Sequence, residues 1–151
     1  MILEIDQKDF ESSKSIWYLF QDAYTIEASI LNIDKSLFPP LNRSANDISL
    51  SNTKFYGIYE DRFLKCVIEI RDDFSSLHIQ SLVVSPNYFR QGLASKLISF
   101  VLKDSHYKQI TVETGLRNEP AVKLYESFGF KKLKEWLTDH SVVKVRFILK
   151  H

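Results

Sequence analysis

The sequence predicts an α/β fold in which helices cover both faces of one mixed β-sheet. Apolar runs with strand character occur before, between and after runs with helical periodicity, as expected for such a layered domain. The length of 151 residues favours one domain around one core. We therefore expect a single domain over residues 1–151.

A short strand and a long helix are predicted at the N-terminus. Met1 to Ile5 has strand character, and Asp6 is suited to cap a helix from about Lys8 to Tyr24. Glu27 to Leu31 either continues that helix or begins a second one after a bend. Regular helix is excluded from Phe38 to Leu41, because the paired prolines remove backbone donors and restrict the chain.

Strands and turns are predicted for the middle of the sequence. One helical turn is expected at Asn46 to Leu50. Phe55 to Tyr59 and Phe63 to Ile70 are predicted to form a hairpin across Glu60-Asp61-Arg62. The next strand is predicted from His78 to Val84.

Two further helices and three strands are predicted in the C-terminal part. Gln91 to about Lys103 places its apolar residues on one face, which predicts a helix. A strand at Gln109 to Thr114 precedes a short helix, Pro120 to Phe128, for which Gly129 is a good C-terminal cap. The chain closes with two predicted strands, Lys131 to Trp136 and Val142 to Leu149.

Composition and charge argue against several classes of function. The formal net charge of +1 provides no basic field to hold nucleic acid or an acidic membrane surface. We see no membrane-spanning run and no signal peptide, and we expect a cytoplasmic protein. No histidine pair has metal-ligand spacing, so we expect no metal. Cys66, the single cysteine, cannot form an internal disulfide and is expected to be a small buried residue.

The most informative stretch runs from Ser85 to Leu97 and contains Gly92. It follows an apolar strand-like run, Leu77 to Val84, and leads into an amphipathic helix. A loop of this kind directs several backbone N–H groups and the positive end of the helix dipole at one point in space. Such a point binds an anion, most often a phosphate.

A second informative stretch runs from Asn118 to Phe130. Asn118 is a natural helix cap, and helical spacing places Asn118, Ala121 and Tyr125 on one stripe. The stripe has polar side chains at its two ends and a small side chain in its middle. A thin, extended ligand can lie against such a surface.

Together the two stretches resemble the GNAT superfamily of acetyl-CoA-dependent N-acetyltransferases. The strand end Leu82-Val83-Val84 and the loop Phe89-Arg90-Gln91-Gly92-Leu93-Ala94 are similar to the family's cofactor loop. Asn118 to Phe130 is similar to the family's Asn-x-x-Ala-x-x-Leu-Tyr-x-x-x-Gly-Phe motif at every named position. The resemblance covers roughly residues 54 to 149 and implies the acyl-CoA N-acyltransferase fold: a mixed, mostly antiparallel twisted sheet flanked by helices, splayed where coenzyme A enters.

The resemblance also implies a role for each matching residue. The backbone amides of about Arg90 to Ser95, including Gln91, Gly92, Leu93 and Ala94, would hold the coenzyme A pyrophosphate. The exposed edge of Leu82, Val83 and Val84 would pair with the pantetheine arm, and Asn118 would hydrogen-bond that arm. Tyr125 would protonate the departing thiolate, for which a phenol is a plausible donor. Phe89 departs from the family pattern of Gln or Arg, which costs little if its backbone amide makes the contact.

The implied reaction is acetyl transfer from acetyl-CoA to a primary amine by direct attack in a ternary complex, without a metal. Many family members use a glutamate as base on the strand before the cofactor loop, where this chain has Gln80. Glu69, His78 and Glu113 are the alternative candidates for the base, acting directly or through water. Cys66 is not expected to carry the acyl group, because no histidine lies beside it in sequence.

The acceptor and the assembly stay open. A small metabolite, a peptide N-terminus or a lysine fits equally well, in a groove between the N-terminal helices with the Phe38-Pro39-Pro40 loop and the turn at Thr138-Asp139-His140. Two rivals are a non-catalytic acyl-CoA sensor and an interaction domain that retains only the fold. A monomer and a homodimer are both compatible with the sequence.

Overall fold

Seven strands form one sheet in the computed structural model, which describes residues 1–104 and 106–150. The strands are β1 (Ile2–Ile5), β2 (Lys54–Glu60), β3 (Phe63–Asp73), β4 (Ser76–Val84), β5 (Gln109–Gly115), β6 (Lys131–Leu137) and β7 (Val143–Lys150). Their order across the sheet is β1-β2-β3-β4-β5-β7-β6. Every neighbouring pair is antiparallel except β4 and β5. The prediction of a mixed, mostly antiparallel sheet is therefore confirmed.

In the described part of the chain, four helices pack against this sheet, and they cover both of its faces. They are α1 (Phe10–Ile30), α2 (Ala45–Ser49), α3 (Leu93–Leu102) and α4 (Glu119–Ser127). One buried cluster joins the apolar faces of α3 and α4 to the sheet, and a second joins α1 and α2 to its other side. Helix α3 makes the crossover that a parallel β4–β5 pair requires. Among the residues that the structure describes, no helix combines the length and the apolar character needed to cross a membrane.

The predicted start of α1 is wrong. Asp9, and not Asp6, is the N-cap, because its carboxylate accepts the backbone N–H of Ser12 at 3.1 Å. Asp6 instead accepts the N–H of Lys8 at 3.0 Å and forms the turn before the helix. The helix then continues without a bend to Ile30, so the first of the two alternatives for Glu27 to Leu31 is correct.

The remaining elements differ from prediction only at their ends. The hairpin turn between β2 and β3 contains Asp61 and Arg62, both with positive φ, as the tight turn requires. Ser44 caps α2 through a reciprocal pair of bonds with Asp47. Residues 39–42 form a short 3₁₀ turn, with Phe38 buried before it. This turn packs against α1 and closes one side of a cavity that α1 and the sheet also line.

Candidate active site

The sheet opens between its two central strands. Pairing between β4 and β5 covers only Ser76–Ile79 and Gln109–Val112. From Gln80 to Val84, β4 keeps its partner β3 but diverges from β5. The backbone groups on that side of β4 face a gap, which agrees with the expected opening of the sheet.

A β-bulge in β4 lies where the two strands part. Glu69 faces Ser81 across the β3–β4 ladder and Ile70 faces Ile79, so Gln80 is the extra residue. A bulge bends its strand and increases the local twist. The bend turns the second half of β4 away from β5.

The gap leads into a cavity of about 390 Å³. Strands β4 and β5 and helix α4 form one wall, which includes Ser81, Leu82, Asn118 and Tyr125. Helix α1, the 3₁₀ turn at residues 39–42 and the start of β7 complete the lining of the cavity. The structure thus places Phe38, Pro39, Pro40 and His140 around one space, as the predicted acceptor groove requires.

The loop from β4 to α3 exposes backbone amides. Arg90 and Gly92 both have positive φ, at 65° and 74°, and Gly92 is the N-cap of α3. The first amide that donates back into the helix is that of Lys96, to the Gly92 carbonyl at 3.1 Å. The amides of residues 93–95 therefore have no intrahelical acceptor. A Cβ built on Gly92 would meet nothing within 4 Å, so the glycine provides the backbone conformation and open space lies before it.

Asn118 and Tyr125 lie on the gap-facing side of α4. The Asn118 side-chain oxygen caps the helix by accepting the Ala121 N–H at 3.4 Å, and its Nδ2 donates to Glu27 Oε1 at 2.6 Å. Tyr125 is buried, with its ring packed between two phenylalanines, Phe130 and Phe147. Burial, and then the charge of Glu27, raise the pKa of the Tyr125 hydroxyl well above its usual value.

Comparison with known proteins decides the family. The family model described as "Acetyltransferase (GNAT) domain" matches residues 36–149. The chain belongs to the GNAT acetyltransferase family. The UPF0157 protein YqkA of Bacillus subtilis is 32% identical over 133 residues, which cover 87% of this chain and 38% of the relative. An N-alpha-acetyltransferase of Saccharolobus solfataricus is 36% identical over 61 residues, which cover 38% of this chain and 36% of the relative. The chain spans less than two fifths of the length of either relative.

Solved GNAT structures share the fold at low sequence identity. The ribosomal-protein-S18-alanine N-acetyltransferase of Escherichia coli superposes with a TM-score of 0.77 at 16% identity, covering 99% of this chain and 94% of that one. The PaiA N-acetyltransferase of Thermoplasma acidophilum, solved with coenzyme A, gives 0.79 at 15% identity, covering 100% and 99%. The fold prediction is therefore confirmed along the whole described chain.

Glu69, the first base candidate of this GNAT domain, is fully engaged by protein groups. Its carboxylate is 0% exposed and accepts two hydrogen bonds from Arg43, at 2.7 and 2.8 Å. Thr53 and Ser81 donate to it at 2.6 and 2.9 Å. Four donors and complete burial leave no approach for a substrate proton, and the geometry argues against Glu69 as the base.

The other two candidates are also poorly placed. His78 bonds Thr111 at 2.8 Å, and burial together with nearby Arg71 lowers its pKa to about 4. It lies in the paired half of β4, before the gap opens. Glu113 lines the cavity, but its carboxylate accepts hydrogen bonds from Lys144 at 3.5 Å and Arg146 at 2.9 Å.

Sequence reasoning missed Glu27 as a site residue. It lies one turn after Tyr24 on α1, lines the cavity and bonds Asn118. The one available signal was its spacing from Tyr24 on a continuous helix, and the uncertain end of α1 concealed that signal.

Neither the Cys66 thiol nor a metal cluster contributes a reactive group among the described residues. Cys66 is fully buried, and burial raises the pKa of its thiol to about 11, which disfavours the reactive thiolate. Within residues 1–104 and 106–150, no group of three or more His, Cys, Asp or Glu side chains is arranged to hold a metal ion.

Proposed function

We propose that this chain is an N-acetyltransferase that moves an acetyl group from acetyl-CoA to a primary amine by direct attack in a ternary complex. The observation that supports this proposal is the gap between β4 and β5. The open stretch of β4 runs from the cavity, at Ser81 and Leu82, to the loop that precedes α3. A thioester carried on a long, thin arm is the acyl donor that fits this arrangement.

The loop and the open strand would together hold the cosubstrate. The amides of Arg90 to Ser95 would bind the pyrophosphate, and a hydrogen bond to a charged group is worth about 1.5–3 kcal/mol. Phe89 can contribute its backbone amide, since its ring is not needed for such a bond. The free edge at Leu82, Val83 and Val84 would pair with the amide groups of the pantetheine arm. Asn118 retains one side-chain N–H for the same arm, because the cap and Glu27 use its other groups.

Tyr125 would supply the proton to the leaving sulfur. Its raised pKa keeps the hydroxyl protonated throughout the neutral range, so the donor is present at every turnover. The amine forms the new bond to the acetyl carbon, the carbon–sulfur bond breaks with its electron pair on sulfur, and the sulfur takes the tyrosine proton. The tyrosine oxygen recovers a proton from the nitrogen of the new amide.

The acceptor is a small-molecule or peptide amine. The E. coli structure belongs to an enzyme named for an alanine of a ribosomal protein, and the Saccharolobus relative is named an N-alpha-acetyltransferase. Peptide N-termini therefore belong in the substrate panel beside lysine and simple alkylamines. Aromatic residues of α1 and the prolines of the 3₁₀ turn surround the acceptor side of the cavity.

Two measurements test this function. Calorimetry with coenzyme A asks whether the chain binds the cosubstrate, and thiol release from acetyl-CoA with the amine panel asks whether it turns over. Binding with amine-dependent thiol release is the expected result. Binding without thiol release would support the acyl-CoA sensor instead. No heat and no thermal shift at millimolar coenzyme A would overturn both the N-acetyltransferase and the acyl-CoA sensor. An interaction domain that retains only the fold would then be the remaining alternative.

A further inference from the structure

Among the described residues, one carboxylate in the cavity has no cation at contact distance. Of its two described carboxylates, Glu113 is ion-paired with Lys144 and Arg146. Glu27 bonds the neutral amide of Asn118, and within the described ranges no Lys, Arg or His nitrogen lies within 4.0 Å of it. An uncompensated carboxylate in a partly dry cavity has few stabilising partners, and a ligand cation would supply one.

We infer that Glu27 receives the ammonium group of the acceptor and takes its proton, an inference that rests on the proposed N-acetyltransferase function. An alkyl ammonium has a pKa near 10.4, so roughly one molecule in a thousand is neutral at about pH 7.4. Only the neutral amine has the electron pair that attacks the thioester. A base beside the bound ammonium removes this obstacle.

The placement of Glu27 suits this role. Its neighbour Asn118 begins the helix that carries Tyr125, and the Glu27 charge is close enough to raise the pKa of the Tyr125 hydroxyl. The proton acceptor and the proton donor of the reaction thus line the same cavity. Tyr24, one turn earlier on α1, adds an aromatic surface beside the carboxylate.

Asn118 holds the carboxylate in place. Its side-chain oxygen is committed to the cap of α4, so its amide nitrogen must point away from the helix, toward Oε1 of Glu27. The other carboxylate oxygen stays available for the acceptor. Asn118 is therefore a positioning residue for Glu27 in addition to its role toward the pantetheine arm.

The surroundings tune the basicity of Glu27. Burial raises its pKa, whereas the Asn118 hydrogen bond and the charge of Lys144 oppose the increase. The titratable and charged groups around the cavity are Tyr24, Arg43, Glu113, Tyr125, His140 and Lys144. A raised pKa makes the carboxylate a stronger base toward the acceptor ammonium.

The proton balance of the reaction is complete with Glu27. The ammonium gives one proton to the carboxylate, and the freed electron pair forms the carbon–nitrogen bond. The carbon–sulfur bond breaks, and Tyr125 protonates the sulfur. Tyr125 then takes back the second proton that the nitrogen releases. Glu27 passes its proton to water before the next turnover.

The decisive experiment compares Glu27→Gln with the wild type on two amines of the same shape. Glutamine keeps an oxygen for the Asn118 bond but accepts no proton. With ethylamine, which is protonated at neutral pH, kcat/KM is expected to fall by about 10²–10⁴-fold. With trifluoroethylamine, which its fluorines keep unprotonated, the loss should be under about tenfold. The variant should also lose the acid limb of the pH profile measured with the best acceptor of the panel.

Two further variants complete the test. Glu11→Gln, exposed on the same helix, should behave as the wild type. The inference is overturned if kcat/KM of Glu27→Gln equals that of the wild type, or if it falls by the same factor with both amines. The same holds if Glu113→Gln shows the selective loss instead. A wild type that binds coenzyme A but releases no thiol with any amine overturns the proposed function, which is a separate outcome.

Discussion

Removing Arg43, the ion-pair partner of Glu69, should destabilise the fold about twice as much as removing Glu69 itself. In Arg43→Met the carboxylate keeps Thr53 and Ser81 but becomes an unpaired buried charge, which typically costs about 3–5 kcal/mol. In Glu69→Met the guanidinium is freed instead, and its side chain is already 23% exposed, so it can turn toward water. We expect that variant to lose about half as much.

Chemical and thermal unfolding measure this asymmetry. A loss of about 3–5 kcal/mol lowers the Tm of a domain of this size by roughly 6–20 °C. The double variant should lose less than the sum of the two single variants, with an interaction free energy of about 0.5–3 kcal/mol.

Two results would refute this reasoning. A loss below about 1 kcal/mol in Arg43→Met would mean that the buried carboxylate needs no counter-charge. If the losses in the free energy of unfolding of the two single variants add up to that of the double variant, Arg43 and Glu69 are not coupled. The same experiment tests catalysis, because Glu69→Met should retain the pH–rate profile of the wild type. If Glu69→Met lost the acid limb of the pH–rate profile, Glu69 would again be a candidate for the general base.

Three further predictions concern Gly92 in the loop before α3, Tyr125 as the proposed acid, and His78 in the sheet. Gly92→Glu should abolish coenzyme A binding in calorimetry, because its carboxylate meets the pyrophosphate. Gly92→Ala is the matched control and should cost only about 1 kcal/mol of strain at the positive φ, with weakened but measurable binding. Tyr125→Phe should lower kcat and leave coenzyme A affinity nearly unchanged, and full activity at every pH would remove the hydroxyl from the mechanism. His78, with its folded pKa of about 4 against 6.5 in the unfolded chain, should cost stability as the pH falls between those values. In urea unfolding, the free energy of unfolding of the wild type should fall by about 2 kcal/mol more than that of His78→Gln by pH 4. An equal fall in the two proteins would contradict the burial of a neutral His78.

The parts of the fold that depend on local pattern were predictable. Strands and helices follow the apolar period, and the end of α4 follows from Gly129, which has a φ of 91°. The start of α1 was not predictable, because Asp6 and Asp9 are equivalent caps by residue type. The turn after β1 decides between them, since the Asp9 N–H bonds the Asp6 carbonyl at 3.1 Å.

The candidate site likewise has parts that a local sequence pattern predicts and parts that it does not. The cofactor loop and α4 are contiguous segments, so a single stretch of sequence identifies each. Glu27 and Asn118 are separated by 91 positions, and Arg43 and Glu69 by 26. No spacing rule joins residues so far apart, and only the folded sheet brings α1 and α4 to the same cavity. The sequence could therefore suggest the acid that we propose, Tyr125, but not the base that we propose, Glu27.

The short β4–β5 ladder also affects how accessible the unpaired backbone of β4 is to other polypeptides. A row of unsatisfied N–H and C=O groups usually lies at the outer margin of a sheet, where a neighbouring molecule can extend it. At Gln80 to Val84 the row faces inward, toward β5 and α4. A foreign polypeptide would have to force these elements apart before its bulky side chains could enter, whereas a slender chain would not. The unpaired backbone groups of β4 are thereby less accessible to other proteins than those of an outer strand.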